Sequence, residues 1–438
     1  MKKIISIIII VMLVSSCTIE DQVNPNSPEL ADILANPSKT ELNNLAIGAL
    51  TGIRNNHAIW VTASGTISRE LYLFDADPRN TTDLIGTKGV LSRSVFYTGA
   101  NYASRYQTIK NCNILLQALE NAPADVSAVE ISGYEGFIKT IMAHQFLVLY
   151  GAYYSSGIRL DVADSDNLGS IITDPATVLT YIRDLLDEAN TDLTGSEFAF
   201  SLPIGFRGFE TPSTFSQFNR ALAARAAMYD GDKVDVLTFL GDSHFDLNGD
   251  LKTGPKMDFS SAGGDLLNDL YKTPGQNGNQ IVFSDTWINE AEGGDSRVAS
   301  KSALRANPSS KSGINAAYET RLYESATSPI SIIRNEELIL LYAEANIGSD
   351  NVEAVNAIDV IRASANLGPY AGATDDASLL LEVLNQRRYS LWGEGHRMID
   401  LRRTGNLNDT FITLDVIQVD GEDVDQVIFT EFPLPITE

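Results

Sequence analysis

The chain has 438 residues, of which 44% are hydrophobic and 20% are charged, so it is long enough to bury a large core in one or two domains. Its 57 acidic side chains outnumber its 32 basic ones and give a formal charge of −25. Such a surface repels nucleic acid and anionic head groups, which excludes both as general partners.

The N-terminus predicts an export signal. The basic pair Lys2-Lys3 precedes an apolar run, residues 4–14, that is too short to span a bilayer. Small residues then lead directly to Cys17, which looks like a bacterial lipobox, where the cysteine is acylated and becomes the new N-terminus. We therefore expect residues 1–16 to be removed as a lipoprotein signal peptide and Cys17 to be lipidated. An ordinary signal peptide that happens to meet a cysteine is the alternative.

Residues 17–37 predict a lipidated cysteine followed by a flexible tether. This stretch is rich in Asn, Pro and Ser and holds few large apolar residues. A helical pattern opens at Ser38, so the fold proper is predicted to span residues 38–438 as a single domain.

Amphipathic helices dominate the first half of that domain. Apolar residues recur at spacings of three and four in the segments 38–54, 102–121, 134–154, 174–193 and 215–229. Two regions break the pattern. Residues 57–98 are mixed in period and predict a long functional loop, and residues 230–329, rich in Gly, Ser, Asn and Asp, predict a large irregular insert.

Paired helices return in the last third of the chain. Leu338, Leu341 and Ala345 share one helix face, and residues 355–365 repeat the period. Small alanines let two such helices approach closely, as in tetratricopeptide hairpins. Beyond them, the alternating segments 411–419 and 427–432 predict a β-hairpin.

Two ordered motifs of this last third resemble the SusD/RagB family of outer-membrane nutrient-binding lipoproteins. The first is an Arg-x-x-Glu-x-x-Leu-x-x-Ala-Glu-Ala helix, and the second is a Glu-Gly-x-Arg-x-x-Asp-Leu-x-Arg segment. Their residues are Arg334, Glu337, Leu340, Ala343, Glu344 and Ala345, then Glu394, Gly395, Arg397, Asp400, Leu401 and Arg403.

The resemblance implies a mainly α fold, a SusD-like tetratricopeptide-repeat superhelix with large loop insertions and a few short β-hairpins. It also implies a lipid-anchored, non-enzymatic protein at the outer face of the outer membrane. Such a protein captures a polysaccharide or oligosaccharide and delivers it to a SusC-like TonB-dependent transporter. A peptide or another nutrient, as in RagB-like proteins, is the alternative cargo, and a surface glycoside hydrolase is the third hypothesis.

Sequence motifs for catalysis and cofactors are missing. The four histidines are scattered, and no nucleophile elbow, P-loop or dinucleotide fingerprint is present. Glu382, Glu394 and Asp400 could be imagined as a glycosidase pair. Arginines at helical spacing beside them, however, lower carboxyl pKa values and spoil a general acid. We therefore predict a structural ion-pair network and no cofactor.

One segment spaces oxygen ligands like the first half of a calcium loop. Asp246, Asn248 and Asp250 alternate, but Leu251 stands where the loop needs glycine, and no glutamate closes it. The segment is a weak Ca²⁺ candidate, and a surface turn is the alternative.

Sugar recognition needs flat apolar faces together with planar amide, carboxylate or guanidinium groups. Trp60 and Trp287 fall in the two irregular regions, which line the ligand face in the family that the chain resembles, so we predict them as stacking platforms. The polar and aromatic candidates beside them are Tyr72, Asp77, Arg79 and Asn80 on the first loop, and Asn289 and Tyr318 on the second.

Overall fold

The computed structural model describes residues 30–419 and 421–437, and most of this chain is helical. The predicted signal peptide and Cys17 lie outside the described residues. In chain order, the helices are α1 (Leu30–Ala35), α2 (Lys39–Gly52), α3 (His57–Ile67), α4 (Phe96–Leu119), α5 (Ala128–Tyr153), α6 (Pro175–Leu193), α7 (Pro212–Asp230), α8 (Lys233–Gly241), α9 (Asp285–Asn289), α10 (Ser296–Lys301), α11 (Asn335–Asn346), α12 (Asn351–Ser364), α13 (Asp376–Ser390) and α14 (Arg397–Arg403).

Short strands connect these helices. They are β1 (Leu71–Phe74), β2 (Ile158–Arg159), β3 (Ile171–Ile172), β4 (Lys256–Met257), β5 (Gln280–Phe283), β6 (Ser302–Lys311), β7 (Ile314–Thr320), β8 (Ile330–Ser331), β9 (Gln418–Val419) and β10 (Glu422–Asp423). The predicted mainly helical architecture with a few short β-strands is confirmed.

Capping residues set the helix starts. Ser38 accepts a hydrogen bond from the backbone N–H of Glu41, whose carboxylate accepts one from the Ser38 N–H. The same capping box, formed by Ser127 and Glu130, starts α5 at residue 128, earlier than the apolar period alone predicts. Local side-chain chemistry therefore fixes boundaries that hydrophobic periodicity leaves open.

Neighbouring helices pack pairwise around a continuous core. The helix α5 packs against α4, α6 and α7, and α11 packs against α8, α12 and α13. Buried apolar residues form one cluster that extends from Leu42 to Phe432, and a second cluster lies between α11, α12 and α13. None of the helices in the described ranges is long and apolar enough to cross a membrane.

A four-stranded antiparallel sheet joins the two irregular regions, with strand order β1-β5-β7-β6. Tyr72 lies opposite Val282, which in turn lies opposite Glu319. The first predicted loop and the insert are therefore neighbours in space, although their separation in sequence gives no sign of it.

Four local predictions differ from the structure. Within the predicted tether, residues 30–35 form the helix α1, and Leu34 packs against the core. Within the first predicted loop, residues 57–67 form α3. Every residue of α3 from Trp60 to Ile67 is buried, so the helix has no polar face and shows no amphipathic period.

The insert and the C-terminal hairpin also differ. Residues 230–329 contain α8, α9 and α10 and three of the strands of the four-stranded sheet. The predicted hairpin is reduced to the two-residue strands β9 and β10. The alternation near Phe432 instead reflects packing on α5, where the Phe432 N–H donates to the Ala152 carbonyl at 2.8 Å.

Candidate functional site

Trp60, one predicted stacking platform, lies inside the core. Its side chain is buried in α3, with its ring 6.5 Å from Phe432 in an edge-to-face contact and close to Gly395. A pyranose could not lie against this indole without displacing the helices around it. The prediction of an exposed platform at Trp60 is wrong, because α3 is a buried helix and not a loop.

Trp287, the second predicted platform, is fully buried. It packs against Phe283 at 4.6 Å and Tyr389 at 4.9 Å, and its Nε1–H donates to the Arg388 carbonyl at 3.3 Å. This prediction is also wrong. The short helix α9 turns the indole inward onto α13, while Asn289 at the end of α9 is exposed.

The other predicted residues are divided between the core and the surface. Tyr72 is buried and its hydroxyl donates to Asp415, and Asn80 is buried with its amide donating to Asp75 at 2.7 Å. These two are structural rather than ligand-facing.

The remaining three candidates do reach the surface, in different ways. Arg79 is exposed and pairs with the carboxylate of Asp77, and Tyr318 is half-buried on β7. None of the eight predicted side chains lines the groove described next.

A groove of about 450 Å³ opens where α2 passes into α3. We call it the Asn55 groove. One wall is the turn of residues 54–59, the second is the exposed face of α4, and the third is the segment 259–269. Ile330 also lines it, so the groove gathers residues from four separate parts of the sequence.

Arg54 is held rigidly at one end of the Asn55 groove. Its Nε–H donates to the Thr51 carbonyl at 3.2 Å, and its guanidinium pairs with Asp265 at 2.8 Å and lies 5.7 Å from the centre of the Phe259 ring. Both the ion pair and the cation–π contact fix the planar group before any ligand arrives.

Planar amides form the polar wall. The turn is supported from below by buried Arg105, which donates to the Ile53 carbonyl at 2.9 Å and to the Asn55 carbonyl. Within residues 30–419 and 421–437, the Asn55 carboxamide makes no hydrogen bond, so its donors and acceptor remain available to a ligand. Gln107 on α4 is exposed, and its Oε1 is likewise unused among the described residues.

The opposite wall is apolar. Leu266 and Leu267 are 40% and 47% exposed, and the largely buried side chains of Phe259 and Ile330 also line the groove. Adjacent exposed leucines in a loop rich in Gly and Asp suit the C–H face of a sugar ring. The groove thus has an apolar side and a side of planar polar groups, the two elements that saccharide recognition needs.

The groove carries little net positive charge. Arg54 is neutralised by Asp265, and Asp269 adds an acidic group at the rim. Burial, together with the charge of Arg105, lowers the pKa of His57 to about 3, so this histidine is neutral at physiological pH. A neutral ligand is therefore favoured over a polyanion.

A smaller inner cavity of about 50 Å³ lies behind His57. Trp60, His144 and His396 line it, and Arg225 in its wall forms an ion pair with Glu337 at 2.6 Å. The inner cavity has room for water but not for a sugar ring.

The carboxylates considered for hydrolysis are all in ion pairs. Glu394 pairs with Arg334 at 2.7 Å, and Asp400 with Arg387 at 2.6 Å. Although burial opposes ionisation, the field of Arg387 lowers the pKa of Asp400 to about 2.

Glu382 is bound in the same way, to Arg362 at 2.9 Å. The predicted ion-pair network is confirmed, but the partners of Glu394 and Glu382 are more distant arginines than those adjacent in sequence.

The calcium candidate forms a local turn. Asp246 accepts from the Asn248 N–H at 2.9 Å, and Asp250 accepts from the Lys252 N–H at 2.9 Å. In the part of the chain that the structure describes, no group of three or more His, Cys, Asp or Glu side chains gathers as a metal site.

The sequence does not reveal the Asn55 groove, because the walls of the groove meet only in the folded chain. The local signals were weak: two asparagines after Arg54 between helical patterns, and a leucine pair within a polar insert.

Comparison with known proteins identifies the fold. Residues 252–423 match the model of the SusD family. A search of curated proteins finds no match to this chain.

Several solved structures share the architecture. One is surface glycan-binding protein A from Bacteroides thetaiotaomicron in complex with laminarihexaose, with 13% identity, 91% of this chain and 97% of that chain covered, and a TM-score of 0.68. A laminarin binding SusD-like protein has 16% identity, covers 84% of this chain and 92% of its own, and has a TM-score of 0.61. A SusD superfamily protein from Parabacteroides distasonis has 18% identity, 91% and 96% coverage, and a TM-score of 0.64. At these identities the similarity establishes the common fold.

Proposed function

Since this chain is a SusD/RagB family protein, we propose that it captures a polysaccharide or oligosaccharide at the cell surface and delivers it to a SusC-like TonB-dependent transporter. The observation that supports glycan capture is the Asn55 groove, which is lined both by exposed leucines and by an Asn55 carboxamide that makes no hydrogen bond to any residue the structure describes. Structural neighbours that are named for laminarin or glycan binding support the same ligand class.

Binding in this groove requires no covalent chemistry. Sugar hydroxyls would bond to the carboxamides of Asn55 and Gln107 and to the fixed guanidinium of Arg54, while the C–H faces cover Leu266 and Leu267. Because no exposed indole contributes, we expect weak affinity that depends on several sugar units.

Affinity electrophoresis tests this proposal. The purified protein is run through gels that contain laminarin, starch, xylan, pectin or levan, with Asn55→Ala and Gln107→Ala beside it. Each variant loses one or two hydrogen bonds, so we expect affinity for the retarding glycan to fall roughly 3- to 10-fold.

Asn307→Ala is the matched control, since Asn307 is an exposed asparagine on β6 outside the groove. Retardation that both groove variants leave at the wild-type level would remove the site from this groove. If no glycan in the panel retards the protein, glycan capture itself is wrong, and binding of mixed peptides would then indicate the alternative cargo.

Release of new reducing ends from any glycan in the panel would instead indicate a hydrolase. Loss of that activity in Glu394→Gln would assign catalysis to the buried carboxylates. It would contradict the conclusion that their ion pairs with arginine are purely structural.

Surface anchoring belongs to the same proposal and depends on Cys17. The variant Cys17→Ser should move the protein from the membrane fraction to the soluble fraction, because acyl chains supply the attachment. Membrane association that persists in this variant would contradict a lipid anchor at this residue.

A further inference from the structure

A second cavity lies across α4 from the Asn55 groove. It has a volume of about 600 Å³ and is bounded by α4, by residues 159–168, by Leu30 and Leu34 of α1, and by Thr437. We call it the Tyr106 groove. Ala103 lines both grooves, so one exposed alanine on α4 is the ridge between them.

The helix α4 presents a row of side chains to the Tyr106 groove that could bind a ligand. Tyr106, Lys110, Asn113 and Gln117 follow one another at spacings of four, three and four, which places them on one face. The row combines an aromatic ring, an ammonium group and two carboxamides. This is the combination expected for a polyhydroxylated ligand.

Neighbouring residues hold the aromatic ring of Tyr106 in a fixed orientation. Its half-buried ring packs on Tyr102 at 4.6 Å, and Tyr102 meets Tyr153 edge-to-face at 5.1 Å. Its hydroxyl donates to the Arg159 carbonyl at 3.0 Å and accepts from the Arg159 N–H at 2.8 Å. These contacts fix the orientation of the ring, so little entropy is lost when a sugar packs on it.

The two amides are anchored by their nitrogen atoms. Asn113 donates to the Val162 carbonyl at 3.3 Å, and Gln117 donates to the Ala163 carbonyl at 3.1 Å. Their carboxamide oxygens accept no hydrogen bond from any residue that the structure describes. Leu168, 49% exposed, supplies apolar surface at the other side.

We propose that the Tyr106 groove is a second saccharide subsite, and that one glycan chain passes over Ala103 to occupy both grooves. This inference rests on the proposed function of the Asn55 groove. The small side chain of Ala103 keeps the ridge low, and a helix is only about 10 Å across. Binding at the second groove is then intramolecular, which raises the affinity for long chains above that for short ones.

The test compares a polysaccharide with its short oligosaccharides by isothermal titration calorimetry, with laminarin and laminaribiose as the first pair. Any other polysaccharide that retards the protein in gels is treated in the same way. We expect the polymer to bind wild type at least about tenfold more tightly per chain than the disaccharide. In Ala103→Arg, whose long side chain raises the ridge, this ratio should fall to near one.

Ala363→Arg is the matched control, an exposed alanine in α12 that lines neither groove, and its ratio should equal the wild-type value. Tyr106→Ala should lower the ratio as Ala103→Arg does. A wild-type ratio near one, or a ratio that survives both substitutions, overturns the second subsite while glycan binding stands. Absence of binding to every glycan overturns the proposed function and this inference together.

Discussion

Replacement of Trp287 by alanine separates a structural role from a ligand-binding role. The indole is fully buried against Phe283, Tyr389 and Trp392, and its Nε1–H donates to the Arg388 carbonyl. Truncation of a buried tryptophan costs about 3–5 kcal/mol, including the cavity that it leaves. Since the aromatic contacts and the hydrogen bond are lost together, we expect a value in the upper part of that range.

The assay is urea unfolding followed by far-UV circular dichroism, which does not depend on the tryptophan being removed. Trp287→Ala should shift the unfolding midpoint strongly. Under conditions where the variant remains folded, it should retain wild-type glycan affinity. Loss of glycan binding with an unchanged unfolding midpoint would show that the indole contacts ligand and does not stabilise the core.

Three further predictions concern the buried groups. Glu337→Gln leaves the Arg225 guanidinium buried without its carboxylate partner and should lower the free energy of unfolding by about 3–5 kcal/mol. The double variant Arg225→Met/Glu337→Leu should be much less destabilised. Equal losses for the two variants in urea unfolding would show that an unpaired buried charge is not the cause. Burial lowers the pKa of His57 to about 3 and that of His244 to about 4, so the unfolded chain binds more protons below pH 6.5. Stability should therefore fall on acidification from pH 7.5 to 5, by at most about 1.4 kcal/mol per pH unit for each histidine. Buried Glu70, whose pKa is raised to about 8, contributes an opposing slope of the same size as one histidine, and a stability that does not fall over this range would contradict the neutral buried histidines. Iodide should scarcely quench the intrinsic fluorescence, because all three tryptophans are buried, and strong quenching would place an indole at the surface.

The fold was largely predictable because its signals are local. The cap of a helix, such as Ser38 or Asp174, lies within a few residues of the apolar residues that give that helix its period. The helix α6 begins and ends where its apolar pattern does. The exception is α3, where burial on every side erased the period that identifies a surface helix.

The candidate site was not predictable in the same way. An exposed tryptophan and a buried one look alike in an irregular sequence, and the sequence near Trp287 does not show that α9 turns it onto α13. The Asn55 groove depends on residues 54–59 meeting residues 259–269, a contact between segments about 200 residues apart that no local pattern encodes. The arginine partner of Glu394 is also non-local, since Arg334 lies 60 residues earlier in the chain.

Glycan binding in the Asn55 groove would be seen directly in a crystal structure of the protein with the glycan that retards it most. We expect sugar density in the Asn55 groove, with hydroxyl groups within hydrogen-bonding distance of the Asn55 and Gln107 carboxamides and a ring face on Leu266 and Leu267. Density instead at Arg79 or Asn289, with the Asn55 groove empty, would show that the glycan binds at the two regions that the sequence first indicated.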